Sequence, residues 1–137
     1  MVNVEHIGIA VKDLSAGVTL YEKLLGIPAY KRETVDSESV TTAFFKVNET
    51  KIELLQSTEA EGVINKFIEK KGEGIHHIAF EVENIYEEIN RLKLAGFRFV
   101  NESPKPGADN KLVCFLHPKE TTGVLIELCQ EIKPLEG

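Results

Sequence analysis

The sequence has little cysteine, no long apolar run and no excess of positive charge, and each absence excludes a class of protein. Its two cysteines, Cys114 and Cys129, form no CxxC motif and are too few for a disulfide scaffold. Both lie in apolar segments, so we expect buried, reduced thiols. No apolar run approaches the roughly 18 residues that a membrane-spanning helix needs.

The charge balance and the first residues narrow the class further. The 137 residues include 16 Lys and Arg against 22 Asp and Glu, a net charge of −6. This balance argues against a nucleic acid or an anionic membrane as the partner. The opening MVNVEHIGIAVKDL lacks the basic and apolar regions of a secretory signal, so we expect a cytoplasmic protein. The length suits one domain, or two small halves that share a core.

The chain aligns with itself when it is shifted by 71 residues. Matches at one offset near both ends of a module indicate an internal duplication rather than chance. The aligned pairs include His6 with His77, Phe44 with Phe115, and residues 54–56 with residues 125–127.

Each half shows the same order of predicted elements. An alternating strand comes first, followed by an amphipathic helix that ends at a glycine, Gly26 or Gly96, and then by three short strand-like runs. The runs are predicted at 28–35, 40–47 and 50–57, and again at 97–102, 111–117 and 122–130. The sequence therefore predicts an α+β protein of two βαβββ modules, about 1–58 and 74–131, joined by a helix at about 60–71. The loop at 103–110 is rich in proline and glycine, and we expect it to be the mobile segment over a site.

Four polar residues recur in the two modules at the same spacing. A histidine on the first strand precedes an amide or carboxylate residue by 50 positions in both halves. Strand alternation places both histidines opposite the bulky apolar side chains and beside small residues. Two imidazoles and two oxygens suit Zn, Co, Ni, Mn or Fe in the divalent state. We therefore predict a shared divalent metal site formed by His6, Gln56, His77 and Glu127.

Three neighbouring residues compete with these candidates. His76 alternates to the face opposite His77, so we expect a structural or solvent-facing role. Glu53 rivals Gln56 because Ile-Glu-Leu recurs at 52–54 and 126–128. That register has an offset of 74, however, and it breaks the match of Glu-Thr at 49–50 with Glu-Thr at 120–121. Glu53 is therefore expected to face solvent. His117 precedes a predicted turn, where we expect local hydrogen bonds.

Several segments together resemble the methylmalonyl-CoA epimerase family of the vicinal-oxygen-chelate superfamily, which also includes glyoxalase I. They are HIGIAV, YEKLLG, ETKIELLQ, GIHHIAFEV and FLHPKETTGVLIEL, within residues 4–130. The resemblance implies an open, cup-shaped sheet of paired βαβββ modules around a divalent metal. It implies His6, Gln56, His77 and Glu127 as the ligands, a homodimer, and interconversion of (2R)- and (2S)-methylmalonyl-CoA.

The resemblance also implies roles for individual residues. Glu127 is the expected base on one face of the substrate while it contacts the metal. Some epimerases carry a second glutamate where this chain has Thr42, and threonine takes no proton at neutral pH, so the acid of the opposite face stays unassigned. Lys105, Lys111 and Lys119 are candidates for a basic rim that holds the phosphates of coenzyme A.

Two other functions fit the same fold. One is a lyase of the glyoxalase I type that isomerises a glutathione hemithioacetal at the same metal. The other is a non-catalytic small-molecule binder. Four intact ligands argue against the binder, because binders of this fold commonly lack them.

Overall fold

The fold comes from a computed structural model that describes residues 1–101 and 103–133. Within these residues the chain forms eight strands, three α-helices and short 3₁₀ turns. The first half comprises β1 (Asn3–Ala10), α1 (Leu14–Leu25), β2 (Lys31–Val35), β3 (Val40–Val47) and β4 (Thr50–Ser57). Helix α2 (Val63–Lys71) follows. The second half comprises β5 (Gly74–Glu81), α3 (Ile85–Leu94), β6 (Lys105–Gly107), β7 (Lys111–Phe115) and β8 (Leu125–Glu131).

All eight strands form one sheet in the order β2-β3-β4-β1-β5-β8-β7-β6. Each half contributes four adjacent strands, and β1 pairs with β5 in antiparallel fashion at the centre. In each half the last strand lies parallel to the first. The halves are thus related by a pseudo-twofold axis between β1 and β5, and the predicted pair of βαβββ modules is confirmed.

Helices α1 and α3 cover the outer face of the sheet. Asp13 caps α1 by accepting a hydrogen bond from the Ala16 amide, and Gly26 ends it with a φ of 72° in the left-handed region. Asn84 caps α3 in the same way. Their apolar stripes pack on outward strand residues to form two equivalent cores. The buried members are Val11, Leu14, Val18, Ala43, Phe45 and Leu54 in one core, and Val82, Ile85, Ile89, Leu92, Cys114, Leu116 and Leu128 in the other.

The strand predicted at 97–102 is wrong, as far as its described residues 97–101 show. Phe99 makes a single bridge with Leu116, and the sixth strand is β6 at Lys105–Gly107. Phe97 and Phe99 instead pack against the core under α3. The alternating pattern of residues 97–101 therefore places phenylalanines in that core and does not form a strand. Residue 102 lies outside the described residues.

Polar contacts join the two outer edges of the sheet. Lys31 Nζ on β2 lies 3.1 Å from Asp109 Oδ1, and the Asp109 amide donates to Glu33 Oε1 at 2.9 Å. Lys105 Nζ lies 2.8 Å from Glu38 Oε1. These contacts hold the 103–110 segment against β2, so the sheet curves into a nearly closed cup.

The helices within the described residues are short or polar, and none of them could span a bilayer.

Candidate metal centre

Two histidines and two glutamates meet inside the cup, and all four side chains are buried. His6 Nε2 lies 3.0 Å from His77 Nε2. Glu53 Oε1 lies 3.5 Å from His6 Nε2 and 3.4 Å from His77 Nε2. The Glu127 carboxylate approaches the same two nitrogens at 3.5 and 3.6 Å. The structure thus brings together three of the four predicted ligands, with Glu53 as a fourth group.

Strand pairing explains why Glu53 belongs with Glu127. Glu53 on β4 lies opposite Gly8 on β1, and Glu127 on β8 lies opposite Ala79 on β5. Gly8 and Ala79 are themselves equivalent, each two residues after a histidine of the cluster. The pseudo-twofold axis therefore relates Glu53 to Glu127. The expectation that Glu53 faces solvent is wrong.

Gln56 lies on the other face of β4, and its prediction as a ligand is wrong. Its Oε1 accepts a hydrogen bond from the Leu14 amide at 2.6 Å, at the start of α1. Gln130 makes the equivalent bond to the Ile85 amide at 2.7 Å, at the start of α3. In each module this glutamine connects the last strand to the helix and lies outside the buried cluster.

Gln56 was predicted in place of Glu53 because the last hairpins of the two modules differ in length. Ala43 pairs with Leu54 in the first module, and Cys114 pairs with Leu128 in the second. Equivalent residues of β3 and β7 are therefore 71 positions apart, whereas those of β4 and β8 are 74 apart. The second hairpin turns through a 3₁₀ segment, Pro118–Glu120, and is three residues longer. The recurring Ile-Glu-Leu was the signal that marks the correct register.

A glycine makes room for one of the histidines. A Cβ atom on Gly8 would lie 2.1 Å from His77 Cε1, far inside van der Waals contact. We expect the small residues beside the histidines to leave space for a ligand. Gly8 instead leaves space for the ring of His77, which extends from β5 across β1.

Two further side chains in the cup were missed because each lies in a β-bulge. Val4 and His6 pair with consecutive residues of β5, which leaves Glu5 as an extra residue. His76 is the extra residue of β5, because Gly8 and Ile9 pair with His77 and Ile75. Glu5 is buried beside His6, and His76 lines the pocket beside His77. The expected outward position of His76 is wrong.

The cluster lines a concave pocket that opens to solvent. Its wall is mostly apolar, formed by Val35, Val40, Leu55, Ile64, Val113 and Phe115 among others. Thr42 is a fully buried part of this wall, and its hydroxyl donates to the Glu33 carbonyl at 3.3 Å. The pocket therefore places apolar side chains next to the charged groups.

Burial and mutual charge shift the titration of the cluster. Burial alone would lower the pKa of His6, but the Glu127 charge and the Glu5 contact raise that pKa to about 9. Burial raises the pKa of Glu127, opposed by both histidines. Burial acts in the same sense on Glu53, yet its contacts with His77 and His6 hold its pKa below the usual value. Burial and the nearby His77 lower the pKa of His76 to about 4.

The predicted basic rim is only partly formed at the surface. Lys105 and Lys119 are exposed, and Lys105 pairs with Glu38, which lines the pocket. Lys111 is 7% exposed, so its side chain faces the interior of the cup and not an outer rim. His117 Nδ1 accepts from the Lys119 amide at 3.3 Å, the local hydrogen bond expected beside the turn.

The donor atoms fit a divalent metal. Two ligands about 2.1 Å from one metal are about 3.0–3.4 Å apart when the angle between them is 90–109°. The separations of 3.0–3.6 Å among the four side chains come close to this range. Potential ligand atoms of His6, His77 and Glu127 also all lie within 4.8 Å of one another. Nitrogen and carboxylate donors in a buried site are typical of a transition-metal centre.

The sequence matches a known protein family. Residues 5–115 match the family of the glyoxalase/bleomycin resistance protein/dioxygenase superfamily, and the chain belongs to it. The ethylmalonyl-CoA/methylmalonyl-CoA epimerase of Cereibacter sphaeroides is 42% identical over 127 residues, covering 91% of this chain and 95% of the relative. The human mitochondrial methylmalonyl-CoA epimerase is 38% identical, covering 91% of this chain and 72% of the relative.

A solved structure agrees in fold and family. Streptomyces coelicolor methylmalonyl-CoA epimerase in complex with 2-nitronate-propionyl-CoA superposes with a TM-score of 0.93 at 31% identity, covering 97% of this chain and 99% of the other. The resemblance to the epimerases that the sequence motifs indicated is therefore confirmed.

Proposed function

We propose that this protein is a metal-dependent epimerase that interconverts (2R)- and (2S)-methylmalonyl-CoA. The observation that carries the proposal is the buried cluster of His6, Glu53, His77 and Glu127 at the base of an apolar pocket. Relatives that are named methylmalonyl-CoA epimerase cover most of this chain at 38–42% identity, which supports the same substrate.

The cluster would hold a divalent cation, such as Co, Mn, Zn, Ni or Fe, through the two Nε2 atoms and the two carboxylates. When bound, the cation supplies positive charge that stabilises the negative charge developing on the thioester oxygen of the substrate. The protein contributes a fixed, buried geometry, so its donors need no reorganisation during the reaction.

Inversion at C2 requires that a proton leaves one face of the substrate and that a proton arrives on the other. Glu127 is the base proposed for one face. Glu53 is its counterpart across the pseudo-twofold axis and supplies a carboxylate from the other module. A carboxylate at Thr42 is then not required for the second proton transfer.

The apolar wall of the pocket favours this chemistry. Val35, Val40 and Leu55 line the space beside the cluster. Apolar surroundings strengthen the interactions between the charged groups and a bound substrate. The wall also suits the methyl substituent at C2.

The proposal extends to the acyl-CoA partner and to assembly. Exposed Lys105 and Lys119 are candidates for the CoA phosphates, whereas buried Lys111 is not suited to that role. We also propose a cytoplasmic homodimer, which leucines exposed on α1 and α3, Leu24 and Leu94, would help to stabilise. Light scattering of the purified protein measures the oligomeric state.

A lyase acting on a glutathione hemithioacetal is the second candidate, favoured by one observation. The cluster of two histidines and two glutamates offers two carboxylate bases, which such an isomerisation also needs. The named relatives favour the epimerase.

The test is a direct comparison of the two substrates. Metal-loaded protein is incubated with pure (2S)-methylmalonyl-CoA, and formation of the (2R) epimer is followed by chiral chromatography. Chelator-treated protein is the control. We expect epimerisation with metal and its loss without metal. Turnover of the hemithioacetal with no epimerisation would refute the proposal in favour of the lyase.

A further inference from the structure

The two β-bulges of the central strand pair occupy equivalent places in the two modules. Glu5 is the extra residue directly before His6, and His76 is the extra residue directly before His77. The two bulged residues are 71 positions apart, like the two histidines that follow them. A β-bulge thus occurs at the equivalent position of each module, although the bulged residue is a glutamate in one and a histidine in the other.

The bulges change which way these residues face. In a regular strand, neighbouring side chains point to opposite faces of the sheet. A bulge breaks this alternation, so Glu5 shares the interior of the cup with His6, and His76 shares the pocket with His77. Each histidine of the cluster therefore has its own preceding residue as a neighbour within the cup.

The contacts are made to the ring nitrogens that the cluster does not use. His6 and His77 turn their Nε2 atoms toward each other, 3.0 Å apart. Glu5 Oε1 lies 3.4 Å from His6 Nδ1, and His76 Nδ1 lies 2.9 Å from His77 Nδ1. Both Nδ1 atoms thus face a potential hydrogen-bond acceptor.

We propose that Glu5 and His76 are positioning residues, which hold His6 and His77 with Nε2 presented to the metal. Each accepts a hydrogen bond from the Nδ1–H group of the histidine that follows it. This inference rests on the metal centre of the proposed function and deepens it. It adds that the two ligands have unlike partners, a carboxylate on one side and an imidazole on the other.

Both positioning residues are themselves held by other side chains. Lys51 Nζ donates to the Glu5 carboxylate at 3.0 and 3.2 Å and also reaches Asp109. The ring of His76 stands edge-on to Phe67, with the centroids 5.0 Å apart. A fixed acceptor fixes the ring that donates to it, because rotation of the ring would break the bond.

The physical reason is the tautomer of the ligand. A neutral imidazole carries one N–H group, and its other nitrogen has the lone pair that binds metal. An acceptor at Nδ1 keeps the hydrogen there and leaves the Nε2 lone pair free for the cation. Loss of such partners typically weakens metal binding by about 10- to 100-fold.

The first test uses two variants of His76. His76→Phe keeps an aromatic ring against Phe67 but removes the acceptor, whereas the Oδ1 of His76→Asn can accept where Nδ1 does. Co²⁺ affinity is measured by competition with a chelator, and the visible absorption of bound Co²⁺ reports ligand geometry. We expect about 10- to 100-fold weaker binding and an altered spectrum for the phenylalanine variant. The asparagine variant should bind within about threefold of wild type.

The second test treats Glu5 in the same way. Glu5→Leu removes the acceptor, and Glu5→Gln keeps an acceptor oxygen while it removes the charge. We expect weaker Co²⁺ binding in the leucine variant and substantial rescue in the glutamine variant. His117→Phe, a substitution at a histidine in the distant Pro118 turn, is the control and should leave Co²⁺ affinity unchanged.

The outcomes separate this inference from the metal centre itself. Equal Co²⁺ affinities within each pair, with wild type binding well, would overturn the positioning role alone. A wild-type protein that binds no Co²⁺ would overturn the metal centre and the positioning role together. Thermal unfolding of each variant shows whether it is folded, and a folded phenylalanine variant with normal affinity would also contradict the inference.

Discussion

Gln56 anchors the start of helix α1 to β4 by accepting a hydrogen bond from the Leu14 amide at 2.6 Å. Three residues earlier on the same strand, Glu53 points the opposite way and contacts His6 and His77 in the buried cluster. Two polar residues of β4 thus have different roles. Gln56 anchors helix α1 on the outer face of the sheet, and Glu53 presents a carboxylate on the inner face.

This division predicts opposite phenotypes for two substitutions on β4. Gln56→Ala removes the acceptor of the Leu14 amide and should lower the free energy of unfolding by about 1–2 kcal/mol. It should leave Co²⁺ affinity unchanged. Glu53→Ala should weaken Co²⁺ binding strongly, because it removes a carboxylate from the centre. Urea denaturation and chelator competition measure the two effects, and a Gln56→Ala protein that loses Co²⁺ would contradict the assignment.

Gly8→Ala should damage the metal centre without unfolding the sheet. The added methyl group would overlap the His77 ring, with 2.1 Å between the new Cβ and Cε1. The ring must move, so we expect a large loss of Co²⁺ affinity and of activity. Gly17→Ala in helix α1 is the matched control, because its new Cβ meets Leu54 Cδ1 at 3.3 Å in the core under α1 and not in the cluster. Normal Co²⁺ binding by Gly8→Ala would show that His77 does not need its present position.

Thr42→Val tests whether the threonine takes part in proton transfer. The hydroxyl is buried and donates to the Glu33 carbonyl, which is a structural bond. Valine has a similar shape, so we expect kcat within about threefold of wild type and a loss of stability of about 1 kcal/mol. A fall in kcat of about 100-fold in a folded variant would instead give Thr42 a role in catalysis.

The two cysteines should be unreactive in the native protein. Cys114 and Cys129 are free and fully buried, and burial raises the pKa of both thiols. Reaction requires the thiolate, so a disulfide reagent should label neither thiol in the folded state and both after denaturation. Rapid labelling of the native protein would show that one of these sites opens readily.

The sequence predicts the topology well because the topology depends on local patterns and on the repeat. Strands β3 and β4 begin and end where the alternation places them, and helix α1 ends directly before Gly26, as the pattern predicts. The two histidines are predictable because both modules carry them at the offset of 71. The resemblance of the motifs to the epimerases supplied the fold and the substrate class.

The remaining features depend on pairing between distant strands. The choice between Glu53 and Gln56 follows from a hairpin that is three residues longer in the second module, which the Glu-Thr match at 49–50 and 120–121 concealed. The positions of Glu5 and His76 follow from bulges, which reverse the face that alternation assigns. Residues 97–101 have the pattern of a strand, but the phenylalanines in it pack into the core under α3.

The most direct test of the central claim is hydrogen exchange at C2 of the substrate. Metal-loaded protein and (2S)-methylmalonyl-CoA are mixed in deuterated water, and the label is followed by mass spectrometry. Wild type should place one deuterium at C2 while the other epimer forms, and Glu53→Gln and Glu127→Gln should each slow this strongly. Absence of exchange in the wild type, or unchanged exchange in both variants, would contradict the proposed epimerase and its two carboxylates.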